Sequence, residues 1–404
     1  MSNLETIKQY NEGKVYPEKY DETYLATKHI QKHPLEIPDK LVEELNKAVK
    51  ERGLFFDNEN LMKDIAAGLI RGNIILQGPP GTGKTTLAEI ISKVFRVDYE
   101  IVTAVSDWTT YDTIGGLQPD VDEEGNEIIT GKNGRIVDSI IDCCNAILRK
   151  EHYGTEKQAS WLYIDELNRS EIDKVFGDLF TVFGSNSLND KKLSLWFEKD
   201  PNKATLYVPL RYRIIGMMNN VDKNYVYDLS HGLARRFTFI NVLPPTEDNF
   251  ETEVNNVKEI VKKKLPKLIE SVGGQAVDSS YIEKIYNVAE FKKLEIKLLN
   301  FIKDIRYDGL NRLDLQFGTA QIIDLYENIV IRLILDDYLN LDQLHIEQAT
   351  KSAFDSSIIS RLAPQMEGYD YRKLKDFNEN KLSEDSEYKD ILSDISIEII
   401  KSLT

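Results

Sequence analysis

Residues 78–86 have the types and spacing needed to hold a chain of phosphates. Gly78 is followed after four residues by Gly83, Lys84 and Thr85, between an apolar run and an amphipathic segment. Glycines let backbone N–H groups turn toward phosphate oxygens. Lys84 would face the outer phosphates, and Thr85 would offer its hydroxyl to Mg²⁺. An incidental glycine-rich turn is the much weaker alternative. The predicted phosphate-binding residues are Gly78, Pro79, Pro80, Gly81, Thr82, Gly83, Lys84, Thr85 and Thr86.

Two adjacent carboxylates, Asp165 and Glu166, form the second candidate group. They follow the mostly apolar run 161–164, so they would stand at the carboxyl end of a central strand, where ligands bind in open α/β sheets. Asp165 would hold Mg²⁺ directly or through water, and Glu166 would polarise an attacking water. Exposed surface carboxylates are the alternative, which the preceding phosphate loop makes much weaker.

Three further polar residues follow or precede apolar runs. Asn219 ends the segment 212–219 and is predicted to lie beside the outermost phosphate and the attacking water. Arg235 and Arg236 come directly before the apolar run 237–243.

The elements that must position these residues are strands and helices in alternation. Runs 74–76, 99–103, 161–164, 212–219 and 237–243 predict strands, and the segment after Lys84 predicts a helix. Turn residues 122–126 between Val121 and Ile128 predict a hairpin, with a surface loop as the alternative. A second hairpin is predicted to turn near residues 200–202, and a continuous helix is predicted from Glu171 to Phe183.

The bulk composition limits the classes of protein. The chain has 404 residues with 41% apolar and 29% charged residues, enough for a nucleotide-binding domain and a second domain. A net charge of −16 argues against nucleic-acid binding by the whole surface. Adjacent Cys143 and Cys144 are predicted to be core residues, and the histidines show no metal-ligand spacing. The first residues lack an apolar signal core and no run reaches membrane-span length, so we expect a cytoplasmic protein.

Four segments are predicted along the chain. Residues 1–54 form an N-terminal helical accessory arm, and 55–245 an α/β nucleotide-binding core with two inserted hairpins. Residues 246–372 form a helical lid, whose strongest signal is the apolar stripe from Ile322 to Leu333, and 373–404 an acidic helical tail.

The phosphate loop, Ile164–Glu166, Asn219 and Ala234–Phe237, in that order and followed by helices, resemble an AAA+ ATPase. The run Asp165–Arg169 and the two hairpins are similar to the MoxR and McrB, or dynein-related, branch. Residues 218–222 resemble a signature of McrB-type GTPases, but Lys223 and Asn224 depart from it, so ATP is the expected nucleotide with GTP as an alternative. The run 361–368 is also similar to McrB.

The resemblance implies a three-layer αβα P-loop core with a parallel sheet, a helical lid and assembly into a homo-oligomeric ring of six. By position, Asp165 and Glu166 would be the Walker B residues and Asn219 the first sensor. Arg236, together with Arg235, would be an arginine finger that completes the neighbouring subunit's site. Where many relatives carry a sensor arginine this chain has Gln321, which supplies no charge.

The function implied is a Mg²⁺-dependent ATPase that remodels or drives a separate effector or client protein. A McrB-like motor subunit of a restriction or defence complex would act on nucleic acid through a nuclease partner, since this chain shows no nuclease constellation. A MoxR-like chaperone acting on a partner protein is the alternative, as is a nucleotide-gated scaffold with little turnover. No membrane partner is expected.

Overall fold

The computed structural model describes residues 28–177, 179–185, 187–201, 204–219, 232, 235–273, 277–383 and 386–403. The chain divides into two compact units. The described residues of the first fall within 28–49, 58–78 and 84–242, and those of the second within 50–57, 79–83 and 243–403.

The first unit is built on a parallel sheet with flanking helices. Its strands are β1 Asn73–Gly78, β2 Asp98–Thr103, β3 Gly115–Val121, β4 Glu127–Asn133, β5 Ser160–Asp165, β6 Lys192–Ser194, β7 Thr205–Tyr207, β8 Ile214–Asn219 and β9 Phe237–Asn241. Five of them form one sheet in the order β2-β5-β8-β1-β9, and every neighbouring pair is parallel. The predicted α/β fold class is thereby confirmed.

The helices follow the apolar periodicity of the sequence. Those before residue 242 are α1 Lys28–Gln31, α2 Leu41–Glu51, α3 Leu61–Arg71, α4 Lys84–Phe95, α5 Thr110–Thr113, α6 Arg135–Tyr153, α7 Ile172–Phe176 and α8 Leu179–Gly184. The sheet contacts α3 at β1 and β9, α4 at β1 and β8, and α6 at β5. Because the sheet is covered in this way, Ile74, Ile75 and Leu76 of β1 are fully buried. Ile70 is exposed at the end of α3.

The helix predicted from Glu171 to Phe183 is two helices. Gly177 ends α7 with a φ of 40°, a conformation that a continuous α-helix does not contain. A Cβ on Gly177 would lie 3.0 Å from Thr110 Cγ2, so the residue also permits a close approach of α5. The prediction of one helix was therefore wrong.

Both predicted hairpins are present. In the first, β3 pairs with β4 from Gly115 opposite Asn133 to Val121 opposite Glu127. Asp122 Oδ1 closes its tip by accepting the amides of Glu124 and Asn126. The short strands β6 and β7 form the second hairpin.

The second unit contains the later helices. They are α9 Phe250–Ser271, α10 Ser279–Asn287, α11 Ala289–Arg306, α12 Thr319–Leu335, α13 Gln343–Arg361, α14 Tyr371–Lys381 and α15 Asp394–Lys401. The predicted stripe on α12 is buried, including Leu325 and Ile329. The segment from residue 373, which the sequence set apart as a tail, contributes Leu374, Phe377 and Ile400 to this same apolar core.

The structure also answers the prediction made for the two cysteines. Cys143 and Cys144 are buried core residues of α6 and both are thiols, as predicted. No helix in the described ranges is long and apolar enough to cross a bilayer.

Candidate functional site

The predicted polar residues of three strands meet at one edge of the sheet. Gly78 at the end of β1 pairs with Asn219 at the end of β8, and β5, which ends at Asp165, is the other neighbour of β8. All three strands are parallel, so their carboxyl ends share this edge. The predicted juxtaposition of Asp165, Asn219 and the start of the phosphate loop is therefore present.

Lys84 is the buried cation at this edge. Its Nζ donates to Gly78 O at 3.0 Å and to Asn219 Oδ1 at 2.7 Å. Burial lowers the pKa of Lys84 to about 8, although the nearby charges of Asp165 and Glu166 act in the opposite direction. The two carboxylates thus only partly offset the cost of burying this ammonium, and phosphate oxygens would favour its charged form further.

Glu166 is held in an uncommon backbone conformation by its neighbours. Its φ of 52° and ψ of 37° lie in the left-handed region, which few residues other than glycine adopt. Its Oε1 accepts from Asn219 Nδ2 at 2.5 Å, and its Oε2 accepts from Arg169 Nε at 3.1 Å. Strained backbone of this kind clusters at functional sites, where the surrounding structure enforces it.

Asn168 is a site residue to which the sequence reasoning gave no role. It is buried, and its Nδ2 donates to Asn219 O at 2.9 Å. Its own Oδ1 is buried without a hydrogen-bond partner among the described residues. The signal available in the sequence was its place within the Asp165–Arg169 run, two residues beyond the paired carboxylates.

The residues predicted to hold Mg²⁺ are Thr85 and Asp165. Thr85 lies in the first turn of α4 and is partly exposed, and Asp165 Oδ1 accepts the amide of Glu166 at 3.0 Å. The described residues contain no cluster of three or more His, Cys, Asp or Glu side chains able to hold a metal by itself. One hydroxyl and one carboxylate fit Mg²⁺, which usually keeps waters and takes further ligands from substrate phosphates.

The phosphate loop has the backbone that its glycines predict. Gly81 and Gly83 have φ values of 73° and 84°, and Thr82 Oγ1 donates to Pro79 O at 3.1 Å. A Cβ on Gly81 would lie 2.0 Å from Oε1 of Gln321, whose side chain would have to move, and the positive φ of Gly81 itself favours glycine.

The start of α12 contacts this loop within the second unit. The amides of Gly318 and Ala320 donate to Pro80 O and Gly81 O, each at 3.0 Å. Gln321 lies against Gly81, and its Oε1 is buried without a partner in the described part of the chain. Gln321, at the position where many relatives carry a sensor arginine, therefore packs against the loop.

The two arginines lie away from the residues described so far. Arg236 donates from Nε to Phe180 O at 2.9 Å and from Nη1 to Gly232 O at 2.8 Å, while Arg235 is exposed. They precede Phe237, which pairs with Asn73 at the amino end of β1. Gly78 is five residues further along β1, or about 17 Å at the usual rise of a strand. Ala234 and residues 220–224 lie outside the described residues.

Part of the chain is similar to a known family of domains. Residues 73–237 match the model of the AAA domain, dynein-related subfamily. An uncharacterized protein of Staphylococcus epidermidis is 30% identical over 99 residues, which are 24% of this chain and 32% of that protein. Replication-associated recombination protein A of Escherichia coli K12 is 41% identical over 64 residues, 16% of this chain and 14% of that protein. The matched segments thus span about a third of these relatives or less.

Among solved structures, a mutant of Thermotoga maritima RuvB is similar. The match covers 80% of this chain and 77% of that one, with 15% sequence identity and a TM-score of 0.39.

Proposed function

We propose that this chain, whose residues 73–237 match the model of the AAA domain, dynein-related subfamily, is a Mg²⁺-dependent ATPase that assembles into a ring and drives a partner. The observation that carries the proposal is the chain of hydrogen bonds from Lys84 through Asn219 to Glu166 at the carboxyl edge of the sheet. It links a phosphate-binding cation to a carboxylate able to act as a base.

The binding step belongs to the phosphate loop. Its backbone amides and the Lys84 ammonium would hold the phosphates of ATP, with the positive end of α4 adding to the attraction. Bound Mg²⁺, held by Thr85 and Asp165, would neutralise charge on the outer phosphates. The proposed preference for ATP over GTP rests on the departures at Lys223 and Asn224.

The hydrolytic step belongs to Glu166 and Asn219. Glu166 would accept a hydrogen bond from an attacking water and so polarise it, because it is the carboxylate that Asn219 holds at this edge. In the structure both of its oxygens accept hydrogen bonds, from Asn219 and Arg169. Each carboxylate oxygen can accept a second hydrogen bond, so the water could bind while Asn219 holds the base in position.

The arginine pair is proposed to act on a neighbouring copy. Arg235 and Arg236 precede the amino end of β9, while the phosphate loop follows the carboxyl end of β1, which supports action in trans. The sequence analysis gave Arg236 the main role as the arginine finger. Its Nε and Nη1 are bound to carbonyls of its own chain, whereas Arg235 is exposed and has no partner among the described residues, which supports Arg235 as the reaching group. Such a contact is heterologous and gives either a closed ring or a helical filament, and we propose a ring of six copies.

The partner is proposed to be a separate protein. The hairpin β3–β4 exposes 60% of Val121 and 58% of Ile129, and its tip is acidic. Exposed apolar positions on such an element support contact with a client. The 218–222 and 361–368 runs, which are similar to McrB, support a McrB-like motor of a restriction or defence complex.

Turnover of ATP by the assembled protein tests the proposal. Glu166→Gln should bind ATP with unchanged affinity and hydrolyse it at least about a hundredfold more slowly, the loss expected for removal of a general base. Glu171→Gln, an exposed carboxylate beyond the same turn, is the matched control and should keep wild-type turnover. Wild-type turnover in Glu166→Gln would place the base elsewhere. ATP binding without turnover in the unmodified protein would leave only the scaffold function.

A further inference from the structure

A cavity of about 450 Å³ lies in the first unit at the sheet edge opposite the phosphate loop. Its wall includes Asn73 and Phe237, the first residues of β1 and β9, and Arg213, which directly precedes β8. The amino ends of three parallel strands therefore open onto it. The chain's own Lys84 follows the other end of β1, so this cavity is not its nucleotide site.

The described side chains that line the cavity include cations and no carboxylate. The cations are Arg71, Lys191, Arg213, Arg235 and Arg236. Five like charges around one space repel each other, and in a chain of net charge −16 such a concentration is unexpected.

Arg213 forms the fixed part of this wall. Its Nε donates to Leu69 O, and its Nη1 donates to Leu210 O and Tyr212 O, each at 2.7 Å. These carbonyls orient the guanidinium and leave its charge uncompensated. Burial accordingly lowers the pKa of Arg213 to about 10.

Lys191 is a partly buried cation with no counter-charge among the described residues that line the cavity. Its backbone is fixed, because its carbonyl accepts from Gln31 Nε2 at 2.8 Å and from the amide of Val208 at 2.9 Å. Its ammonium has no hydrogen bond or ion pair within the described ranges. Burial and the charge of Arg213 both lower the pKa of Lys191. A bound anion would oppose both effects and stabilise the charged ammonium.

We propose that this cavity is a second anion site that binds a phosphate-type oxyanion of the size of a diphosphate or larger. A single carboxylate supplies one negative charge against five cations, whereas a polyphosphate supplies several. Arginine guanidinium groups match phosphate oxygens in pairs, and a cavity of this volume holds more than one phosphate group. The oxyanion has two possible sources, a free polyphosphate or the phosphate chain of a nucleotide on another copy. The second source alone rests on the proposed assembly.

Titration of sodium pyrophosphate into the full-length Lys84→Ala protein tests the free source, because that variant lacks the phosphate-loop cation. Calorimetry at constant ionic strength should show saturable binding. Lys191→Met should weaken it about 10- to 100-fold, the value of a charge-assisted contact. Lys192→Met is the matched control, since Lys192 is the adjacent exposed lysine outside the cavity, and it should leave the affinity unchanged. Circular dichroism confirms that each variant is folded.

The second arm introduces Lys191→Met into the assembled protein with Lys84 intact. If the neighbour's nucleotide is the source, ATP turnover should fall at least about tenfold while each copy's own ATP affinity is unchanged. Pyrophosphate binding in the first arm identifies the free source. Its absence together with this loss of turnover identifies the neighbour's nucleotide. No pyrophosphate binding and no loss of turnover would overturn the anion site. If the protein proves not to be an ATPase, the pyrophosphate titration still tests the anion site by itself.

Discussion

At the scale of single residues, the site is a set of groups that restrain one another. Lys84 donates to Asn219, Asn219 donates to Glu166, and Asn168 donates to the backbone of Asn219. Each restraint fixes a side chain whose conformational freedom would otherwise oppose a defined geometry. Loss of any one member should therefore affect the next.

Lys84→Ala should weaken nucleotide binding about a hundredfold or more, because a buried ammonium would lose two or more charge-assisted contacts to phosphate oxygens. Fluorescence titration with a labelled ATP analogue measures the effect. Lys93→Ala, an exposed lysine on the same helix α4, is the control and should bind normally. Equal affinities in the two variants would contradict the assignment of the loop.

Asn168→Ala should slow ATP turnover about tenfold and leave ATP affinity unchanged, because Asn219 would lose the donor that holds its carbonyl. A buried acceptor left without a donor costs about 1–3 kcal/mol, so the free energy of unfolding should fall by that amount. Steady-state kinetics and denaturant titration measure the two effects. Loss of stability with wild-type turnover would show that Asn168 is only structural.

At the scale of elements, the loop contacts the start of α12 through the backbone of Gly318 as well as through the Gln321 side chain. Gly318 has a φ of −91°, which any residue adopts, so its need for glycine is steric alone. A Cβ there would lie 2.1 Å from the carbonyl carbon of Gly81.

Gly318→Ala should displace the loop from α12 and weaken nucleotide binding, because backbone atoms cannot yield as a flexible side chain would. The free energy of unfolding should fall by about 1–3 kcal/mol, typical of overpacking. Gly125→Ala at the hairpin tip meets no atom within 4 Å and should leave nucleotide binding intact, which makes it the control. Calorimetric titration of both variants gives the comparison, and equal affinities would be evidence against a rigid loop contact.

Replacement of residues 121–129 by a two-residue turn should leave ATP affinity and folding unchanged and remove stimulation of turnover by the partner. The reason is that this tip is exposed and lies outside the nucleotide motifs. ATP titration, thermal unfolding and turnover with and without the co-purifying partner measure these effects. Unfolding of the variant would show instead that the hairpin is part of the core.

The helices and strands were predictable where a single pattern of apolar residues dominates the local sequence. Buried parallel strands read as continuous apolar runs, as in Ile74–Leu76, and the stripe on α12 reads as a helix. The division at Gly177 was missed because a single glycine within an apolar helical pattern is usually tolerated. The tail was separated by its charge, although its spaced apolar residues contribute to the same core.

At the scale of the whole molecule, residues distant in sequence meet only through the topology. The pattern of glycines, carboxylates and Asn219 was sufficient to predict one edge of the sheet. The cavity at the other edge was not predictable, because it joins Arg71, Lys191 and Arg213 from three separate segments. No spacing within any one segment signals that they converge.

Mixing two inactive variants tests action in trans. Lys84→Ala has the arginine pair but no working loop, and Arg236→Ala, or in parallel Arg235→Ala, has the reverse. Each alone should be inactive, since an arginine finger contributes about 10³–10⁵ in rate. The mixture should recover hydrolysis at interfaces that join an intact loop to an intact arginine pair.

A mixture of Lys84→Ala with the Lys84→Ala and Arg236→Ala double variant is the control, because it contains no intact loop. Native mass spectrometry establishes that mixed assemblies form. If they form and the first mixture stays as inactive as its components, the arginines act within their own chain or serve only the fold.

Because the phosphate loop and the arginine pair lie at opposite edges of one sheet, the number of complete sites depends on whether the assembly is open or closed. In an open row of copies joined by this contact, the copy at one end receives no arginines and the copy at the other end donates to none. A row of n copies therefore contains n − 1 complete sites, whereas a closed one contains n. Closure adds a whole site without adding a subunit, so activity per subunit would itself report whether the assembly has closed.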